Sequence, residues 1–213
     1  MNSAIQYKAL LFINGTPPKS FPSLEGYGLI ACTDGAYHYL KQLGFPVEKL
    51  DFISGDFDSH SGAHEKNYGE KFIFTPDQDK TDFEKALEIL VEKGIKNLDV
   101  YGGSGGEMDH FLGNLTVAFS FKDKMEIRFY DEFSTYYFIP KNFVLENVSG
   151  RMISLYPFPK AENVVSKGLN WEIDNVTLEM HKGLWARNFA AKETVEINYS
   201  SGDLLFFVGE NYL

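Results

Sequence analysis

The chain has 213 residues, of which 44% are hydrophobic and 15% aromatic, which is enough apolar material for a folded core and excludes a disordered chain. Its formal net charge of -10 disfavours a nucleic-acid partner, because phosphate backbones are bound by clustered Lys and Arg side chains. The apolar run 9–13 is too short to cross a membrane or to form a signal-peptide core, so we expect a cytoplasmic protein without a membrane partner. The single cysteine, Cys32, lies in an apolar run and is predicted to be buried and unreactive.

Continuous apolar runs alternate with helical patterns over residues 1–138, which we predict to form one α/β domain. Unbroken hydrophobicity indicates strands that are buried on both faces, as in a parallel sheet. Such a domain is expected to be Rossmann-like, with its ligand crevice at the carboxyl ends of the strands. The predicted strands are residues 9–13, 28–33, 50–54, 72–74, 98–101 and 127–130, and the predicted helices are residues 36–43, residues 82–93 and a segment from His110 onwards.

The helix over residues 82–93 has the clearest pattern. It begins at a capping box formed by Thr81 and Glu84, and Gly94 supplies the left-handed conformation that ends helices. Its inward face is predicted to carry Phe83, Ala86, Leu87, Leu90 and Val91, and its solvent face Glu84, Lys85, Glu88 and Glu92.

The pattern changes after residue 138 to short alternating segments separated by turn residues. Residues 139–213 are therefore predicted to form a smaller antiparallel β-sandwich domain. The predicted strands are residues 151–156, 163–166, 171–174, 176–180, 194–199 and 203–208, with turns at residues 174–175 and 200–203.

Acidic side chains are concentrated in three short clusters, residues 55–59, 77–82 and 102–110, each placed where a predicted strand ends. In the loop 55–59, Asp56 and Asp58 occupy alternate positions of an extended segment, so both side chains project to the same side. A fold that brings these two together with Asp82 must neutralise their repulsion, most readily with a divalent hard cation. Taken singly, the first loop also fits a solvated turn, and Asp82 fits an acid at a helix start.

A glycine-rich run, residues 102–106, follows a predicted strand and precedes a helix. Its amides can approach a phosphate near a helix N-terminus, although the Lys-Ser/Thr pair of a P-loop is absent. His110 and Asn114 lie four residues apart on one face of that helix, and His110 taken alone also fits a hydrogen-bonded structural residue.

The ordered set of these segments closely resembles the thiamine pyrophosphokinase family. The resemblance is carried by residues 34–36 (DGA), 55–59 (GDFDS), 77–87 (DQDKTDFEKAL) and 105–110 (GGEMDH) with Asn114. In the second half, residues 153–157 (ISLYP), 168–171 (GLNW) and 183–188 are similar to the family's C-terminal β domain. The similarity covers nearly the whole chain.

The resemblance implies a homodimer, with active sites at the interface, that transfers the diphosphate of ATP to the thiamine hydroxyl and releases AMP with Mg2+ as cofactor. Residues 1–138 would bind nucleotide and metal, and residues 139–213 would bind thiamine and form the dimer. The catalytic acids would be Asp56, Asp58, Asp79 and Asp82; Asp56, Asp58 and Asp82 match the family's magnesium ligands, and Asp79 or Asp82 would orient the thiamine hydroxyl. The nucleotide would contact Asp34, Ser59, Lys80, Thr81, Gly105, Gly106, Asp109, His110 and Asn114, and thiamine would contact Gln78, Asp79, Trp185, Arg187 and Asn188.

Two positions depart from the family's pattern. Glu107 stands where the family usually has Arg, so a phosphate-facing cation is absent there and Lys80 is the nearest candidate to replace it. The segment 185–188 (WARN) keeps only the asparagine of the family's Ser-x-Ser-Asn thiamine segment. This leaves open whether thiamine binds differently or Arg187 faces the phosphates.

Two other functions use the same residues. One is a magnesium-dependent nucleotide pyrophosphohydrolase with water as the acceptor. The other is a nucleotide- or thiamine-binding module in which the departures at Glu107 and Arg187 have weakened catalysis.

Overall fold

The structure is a computed structural model that describes residues 8–56, 69–182 and 185–212. The chain divides into two compact units, Met1–Asp131 and Glu132–Leu213. Within the described residues, no helix is both long and apolar enough to span a membrane.

The first unit contains a parallel sheet, as the continuous apolar runs predict. Its strands are β1 (Lys8–Phe12), β2 (Tyr27–Thr33), β3 (Phe52–Gly55), β4 (Phe72–Phe74), β5 (Asn97–Tyr101) and β6 (Glu126–Tyr130). The strand order is β4-β3-β2-β1-β5-β6, and each neighbouring pair is parallel. The strand order therefore reverses between β1 and β5, and in such sheets the ligand crevice lies where the order reverses.

Three helices accompany this sheet: α1 (Asp34–Gln42), α2 (Asp82–Glu92) and α3 (Met108–Phe121). Two short 3-10 turns, Val47–Lys49 and Gly69–Lys71, precede β3 and β4. The predicted capping of α2 is confirmed, because the Thr81 side chain accepts a hydrogen bond from the Glu84 backbone N at 3.1 Å. One assignment on α2 is wrong: Lys85, predicted to face water, is only 5% exposed.

The core of the first unit packs α1 against the sheet. Its members include Leu10 and Phe12 of β1 and Leu40 of α1, which are fully buried. Cys32 lies in the same cluster, and burial raises the pKa of its thiol well above the ordinary value. The prediction of a buried, unreactive cysteine agrees with this environment.

The second unit is an antiparallel β structure. Its strands are β7 (Ser134–Ile139), β8 (Asn142–Glu146), β9 (Arg151–Lys167), β10 (Val176–Glu179), β11 (Asn188–Phe189), β12 (Thr194–Asn198) and β13 (Ser201–Tyr212). The long β9 pairs with β13 along its first part and with β12 near its end, so one strand serves both layers of the sandwich. Buried side chains of these strands form the core between the layers, including Ile153, Leu155, Val195, Ile197, Leu204 and Phe206.

Several details of the second unit differ from the sequence prediction. The predicted strands 151–156 and 163–166 are both parts of β9, and the predicted strand 171–174 is wrong because that segment is irregular. Strands β7, β8 and β11 were not predicted. The two compact units divide after Asp131, and the division of functions between residues 1–138 and 139–213 stays a prediction.

Candidate active site

A cleft of about 680 Å3 opens in the first unit at the carboxyl ends of the parallel strands. Its walls come from the loops that follow β1, β3, β4 and β5, together with the starts of α2 and α3. This is the place where the strand order reverses, which is where ligand crevices lie in such sheets. The predicted position of the crevice thus holds a real cavity.

Two loops interlock at the rim of the cleft. The Thr16 backbone N donates a hydrogen bond to the Ser104 carbonyl at 2.9 Å. A Cβ on Gly15 would overlap the carbonyl oxygen of Gly102, and one on Gly105 would overlap Thr16 Oγ1. Only glycine permits this approach, so the loop 14–17 and the glycine-rich loop form one wall. Residues 14–17 are not among the predicted site residues, although an Asn-Gly pair directly after a buried strand is a recognisable turn signal.

The predicted acids Asp56 and Asp82 both line this cleft. Asp56 directly follows β3, and its Oδ2 accepts a hydrogen bond from Gln78 Nε2 at 3.0 Å. Asp82 begins α2, and its Oδ1 lies 2.7 Å from the Lys85 ammonium. Two acids that are distant in sequence therefore share one cavity wall. Asp58 and Ser59 lie outside the described residues.

Thr81 and Lys80, which directly precede Asp82, also line the cleft. Thr81 caps α2 through its side chain. Lys80, the predicted replacement for the family's arginine, lines the cleft. Its ammonium forms an ion pair with Glu88 Oε1 at 2.7 Å. The hydrogen bond to Glu88 raises the pKa of Lys80. A phosphate would have to compete with Glu88 for this cation.

The glycine-rich loop and the start of α3 form another part of the cleft lining. It contains the predicted residues Gly105, Gly106, Asp109, His110 and Asn114. Asn114 Nδ2 donates to the Gly103 carbonyl at 3.0 Å, which fixes the loop to the helix.

Three exposed side chains meet at the start of α3. The potential ligand atoms of Glu107, Asp109 and His110 all lie within 4.8 Å of one another. His110 Nε2 is 3.6 Å from Glu107 Oε2. The departure from the family's arginine thus gives this wall a negative side chain beside His110.

Two predicted residues, Asp34 and Asp79, are not among the residues that line the cleft. Asp34 is buried at the start of α1, where its Oδ1 accepts from the Gly35 backbone N at 2.6 Å. A Cβ on Gly55 would overlap the Asp34 carboxylate, so this glycine lets β3 end directly against it. Asp79 is exposed, and its backbone N donates to Asp77 Oδ1 at 2.9 Å. Their direct contacts with ligands stay predictions.

Thr33 is a cleft residue that the sequence analysis did not select. It ends β2 and lines the cleft, and its hydroxyl is buried without a hydrogen-bond partner among the residues that the structure describes. A buried hydroxyl without a partner costs free energy, so its presence at a cavity wall is informative. A threonine between Cys32 and Asp34 carries no signal in sequence that would distinguish it from an ordinary strand residue.

The predicted thiamine contacts Trp185, Arg187 and Asn188 lie in the second unit. Trp185 lines an apolar pocket of about 300 Å3, and its Nε1 is buried without a partner among the described residues. Arg187 is exposed, with φ at 60°, and its backbone N donates to Ser154 Oγ at 2.9 Å. The other residues of the pocket are Ser154, Leu155, Tyr156, Pro157, Glu179, Met180, Ala186 and Phe207.

The Asn188 side chain is engaged with the backbone of Trp171. Its Nδ2 donates to the Trp171 carbonyl at 2.8 Å, and its Oδ1 accepts from the Trp171 backbone N at 3.2 Å. The exposed Trp171 ring packs edge-on against Phe189, with centroids 5.4 Å apart. In this structure the Asn188 amide is therefore engaged locally: it closes the loop that carries Trp171.

Two family models match the chain. The model described as "Thiamin pyrophosphokinase, catalytic domain" matches residues 23–129, and "Thiamin pyrophosphokinase, vitamin B1 binding domain" matches residues 139–204. The chain belongs to the thiamin pyrophosphokinase family. The first match contains Asp56, Asp82 and the glycine-rich loop, whereas the rim loop 14–17 precedes it.

Relatives within the thiamin pyrophosphokinase family span most of the chain. Thiamin pyrophosphokinase 1 of Caenorhabditis elegans is 29% identical over 195 residues, covering 85% of this chain and 79% of the relative. Thiamine pyrophosphokinase of Bacillus subtilis is 26% identical over 211 residues, covering 93% of this chain and 97% of the relative.

Solved structures of thiamin pyrophosphokinases share the fold. The crystal structure of the Bacillus subtilis protein matches with a TM-score of 0.79 at 23% identity, covering 94% of this chain and 98% of that one. The yeast thiamin pyrophosphokinase structure matches with a TM-score of 0.82 at 17% identity, covering 98% and 87%. The predicted combination of an α/β domain with a smaller β-sandwich is thereby confirmed.

Proposed function

We propose that this protein is a thiamine diphosphokinase, which transfers the diphosphate of ATP to the hydroxyl of thiamine and yields thiamine diphosphate and AMP. Family membership supports this activity. The observation that carries it is that Asp56, Asp82 and the glycine-rich loop line one cleft at the reversal of strand order. Carboxylates and backbone amides in one cleft suit a polyphosphate that is bound together with a cation.

The residues present fit Mg2+. ATP carries about four negative charges, so a carboxylate-lined cleft needs a cation to accept it. Asp56, Asp82 and, from the sequence pattern, Asp58 would hold the ion, because carboxylate oxygens are the hard ligands that Mg2+ prefers. When bound, the ion withdraws charge from the phosphates and so favours departure of AMP.

The chain's own groups position the two substrates. The amides of the loop 102–106 lie where the phosphates would enter, and Gln78 holds Asp56 in place from the neighbouring loop. Asp79 or Asp82 would accept a hydrogen bond from the thiamine hydroxyl and direct its oxygen at the β-phosphorus. The new bond joins that oxygen to the β-phosphorus, the bond from the β-phosphorus to the AMP oxygen breaks, and the hydroxyl proton passes to a carboxylate or to water. Positioning and electrostatics would supply most of the rate enhancement.

The second unit would contribute to thiamine binding and to a homodimer. The apolar pocket beside Trp185 includes Tyr156 and Phe207, and aromatic faces attract a cationic ring such as thiazolium. We propose that residues 139–213 bind thiamine and form the dimer, that the active sites lie at the dimer interface, and that the protein acts in the cytoplasm. The net charge of -10 supports the expectation that no nucleic acid takes part.

The proposal is tested by incubating the purified protein with ATP, Mg2+ and thiamine and quantifying products by mass spectrometry. We expect thiamine diphosphate and AMP in equal amounts. A parallel reaction without thiamine separates the alternatives: AMP formation that does not depend on thiamine would indicate a pyrophosphohydrolase. Binding of both ligands without any AMP would indicate a catalytically inactive binding module.

A further inference from the structure

Lys85 is a buried lysine on the second turn of α2. Its ammonium has three acceptors: Asp82 Oδ1 at 2.7 Å, the Thr75 carbonyl at 3.0 Å and the Asp77 carbonyl at 3.3 Å. Three acceptors satisfy the three N–H donors of an ammonium, which explains how a charged group can be buried here. Lys85 also lines the cleft.

These contacts connect Lys85 to Asp56 and Asp82, the two predicted metal ligands that line the cleft. The contact with Asp82 is direct. The contact with the Asp77 carbonyl fixes the residue that immediately precedes Gln78, and Gln78 in turn donates to Asp56 Oδ2 at 3.0 Å. One ammonium therefore links the start of α2, the loop that follows β4 and, through that loop, the end of β3.

The geometry at Asp82 is also restricted by this contact. Lys85 takes Oδ1, while Oδ2 has no hydrogen-bond partner among the residues that the structure describes. A carboxylate held by one oxygen presents the other in a fixed direction. Groups that orient metal ligands in this way commonly change metal affinity or activity by about 10–100-fold when they are removed.

We propose that Lys85 is a positioning residue that fixes Asp82 directly, and Asp56 through the loop 75–78, in one arrangement for binding a divalent cation. The inference rests on the proposed function for the identity of the reaction. The contacts of Lys85 concern cation binding alone, so they can be tested without either substrate.

Lys80 provides a matched control. Like Lys85, it lines the cleft, and its ammonium pairs with an acid of α2, Glu88. Its partner Glu88 is not a cleft residue, and its side chain is 35% exposed, compared with 6% for Lys85. Lys80 also lies 3.8 Å from Asp77 Oδ2. Its loss removes an equal charge but leaves in place the three contacts of Lys85 with Asp82, Thr75 and Asp77.

The experiment compares Lys85→Met, Lys85→Arg and Lys80→Met with the wild type. Binding of Mn2+ is measured by electron paramagnetic resonance, first without nucleotide and then with α,β-methylene-ATP, in which the bond that transfer breaks is blocked. For Lys85→Met we expect the dissociation constant for Mn2+ to rise about 10–100-fold and kcat to fall by about the same factor. The KM for thiamine should stay unchanged. Lys85→Arg keeps the charge and the donors and should recover part of both. Because Lys80 is a predicted nucleotide contact, Lys80→Met serves as the control only in the measurement without nucleotide, where it should bind Mn2+ like the wild type.

Other results would overturn the proposal. Unchanged Mn2+ binding by folded Lys85→Met would make Lys85 a residue of stability alone, and tighter binding would show that its ammonium competes with the cation for Asp82. If Lys85→Met does not fold, Lys85→Gln replaces it, and failure of both variants to fold would likewise reduce the role of Lys85 to stability. Failure of the wild type to form thiamine diphosphate would overturn the proposed function and leave the Mn2+ comparison intact.

Discussion

Gln78 and Asp56 join the ends of two neighbouring strands: Gln78 Nε2 donates to Asp56 Oδ2 at 3.0 Å. Gln78 follows β4 and Asp56 follows β3, and these strands are parallel neighbours in the sheet. The bond therefore fixes the direction of a carboxylate from the adjacent loop.

Replacing Gln78 by Leu should lower kcat/KM for ATP about tenfold. The side chains are similar in size, but a hydrogen bond to a charged group contributes about 1.5–3 kcal/mol and water recovers part of it. Steady-state kinetics at saturating Mg2+ measures the change. Wild-type kinetics in this variant would show that Asp56 is held without Gln78.

Asp82→Asn should reduce turnover by about two orders of magnitude or more, the loss expected for one charge-stabilising group. The substitution keeps the shape of the side chain, so the fold should survive. Glu92→Gln is the control, because Glu92 lies on the same helix but not in the cleft wall. Single-turnover formation of thiamine diphosphate gives the rate of the chemical step, and near-normal turnover of Asp82→Asn would remove this aspartate from the mechanism.

Glu107→Gln should lower the KM for ATP by about threefold, because one exposed like charge is removed from the wall that faces the phosphates. The side chain is 78% exposed, so the thermal unfolding temperature should stay unchanged. Initial rates at varied ATP measure the effect. A higher KM would point the other way, to a favourable contact of Glu107 with a cation shared with Asp109 and His110.

Two glycines should respond to alanine in opposite directions. Gly105 has φ at 78° and no room for a Cβ beside Thr16, so Gly105→Ala should lower the free energy of unfolding by about 1–3 kcal/mol. Gly113 lies inside α3 with open space around it, so Gly113→Ala should raise that free energy by about 0.5–1 kcal/mol. Urea unfolding measures both. Equal effects of the two substitutions would contradict the interlocked rim.

Tyr199 should make the protein less stable in alkali. Burial raises the pKa of Tyr199 to about 12 from the ordinary value of 10.0, and its hydroxyl donates to the Ile139 carbonyl at 2.6 Å. Below about pH 10 the group is protonated in both the folded and unfolded chains and gives no pH dependence; above it, only the unfolded chain loses the proton readily, so stability falls as pH rises towards 12. Urea unfolding across this range should show a smaller decrease for Tyr199→Phe than for the wild type.

The sequence predicts the first unit well, because its signals are local and consistent. The apolar runs give the strands of the parallel sheet, and the Thr81 and Glu84 pair marks the start of α2 within one residue. The cleft follows from the order of elements, since loops after parallel strands meet at one edge of a sheet.

Lys85 shows where such reasoning ends. Helical spacing classifies a lysine between Glu84 and Ala86 as solvent-facing, whereas its burial depends on carbonyls from a loop that precedes the helix. The hydroxyl of Thr33 is missed for a related reason: its lack of a partner is a property of the packed structure.

The strand β9 shows a different limit. Pro157 and Pro159 suggest a break, because proline cannot donate to a sheet ladder. The strand nevertheless continues from Arg151 to Lys167, and the register with β13 shifts in the region of Pro157, between Gly202 and Leu204 of the partner strand. An irregularity in pairing accommodates what the sequence presents as a terminator.

The side-chain oxygen of Asn188 already accepts from the backbone N of Trp171 and of Phe189, while its amide nitrogen donates to the Trp171 carbonyl. A vitamin that takes over this oxygen must first release a backbone segment and the exposed indole that it carries. Substrate binding and loop opening would then be coupled equilibria. A loop that opens faster would raise the rates of both substrate association and substrate dissociation.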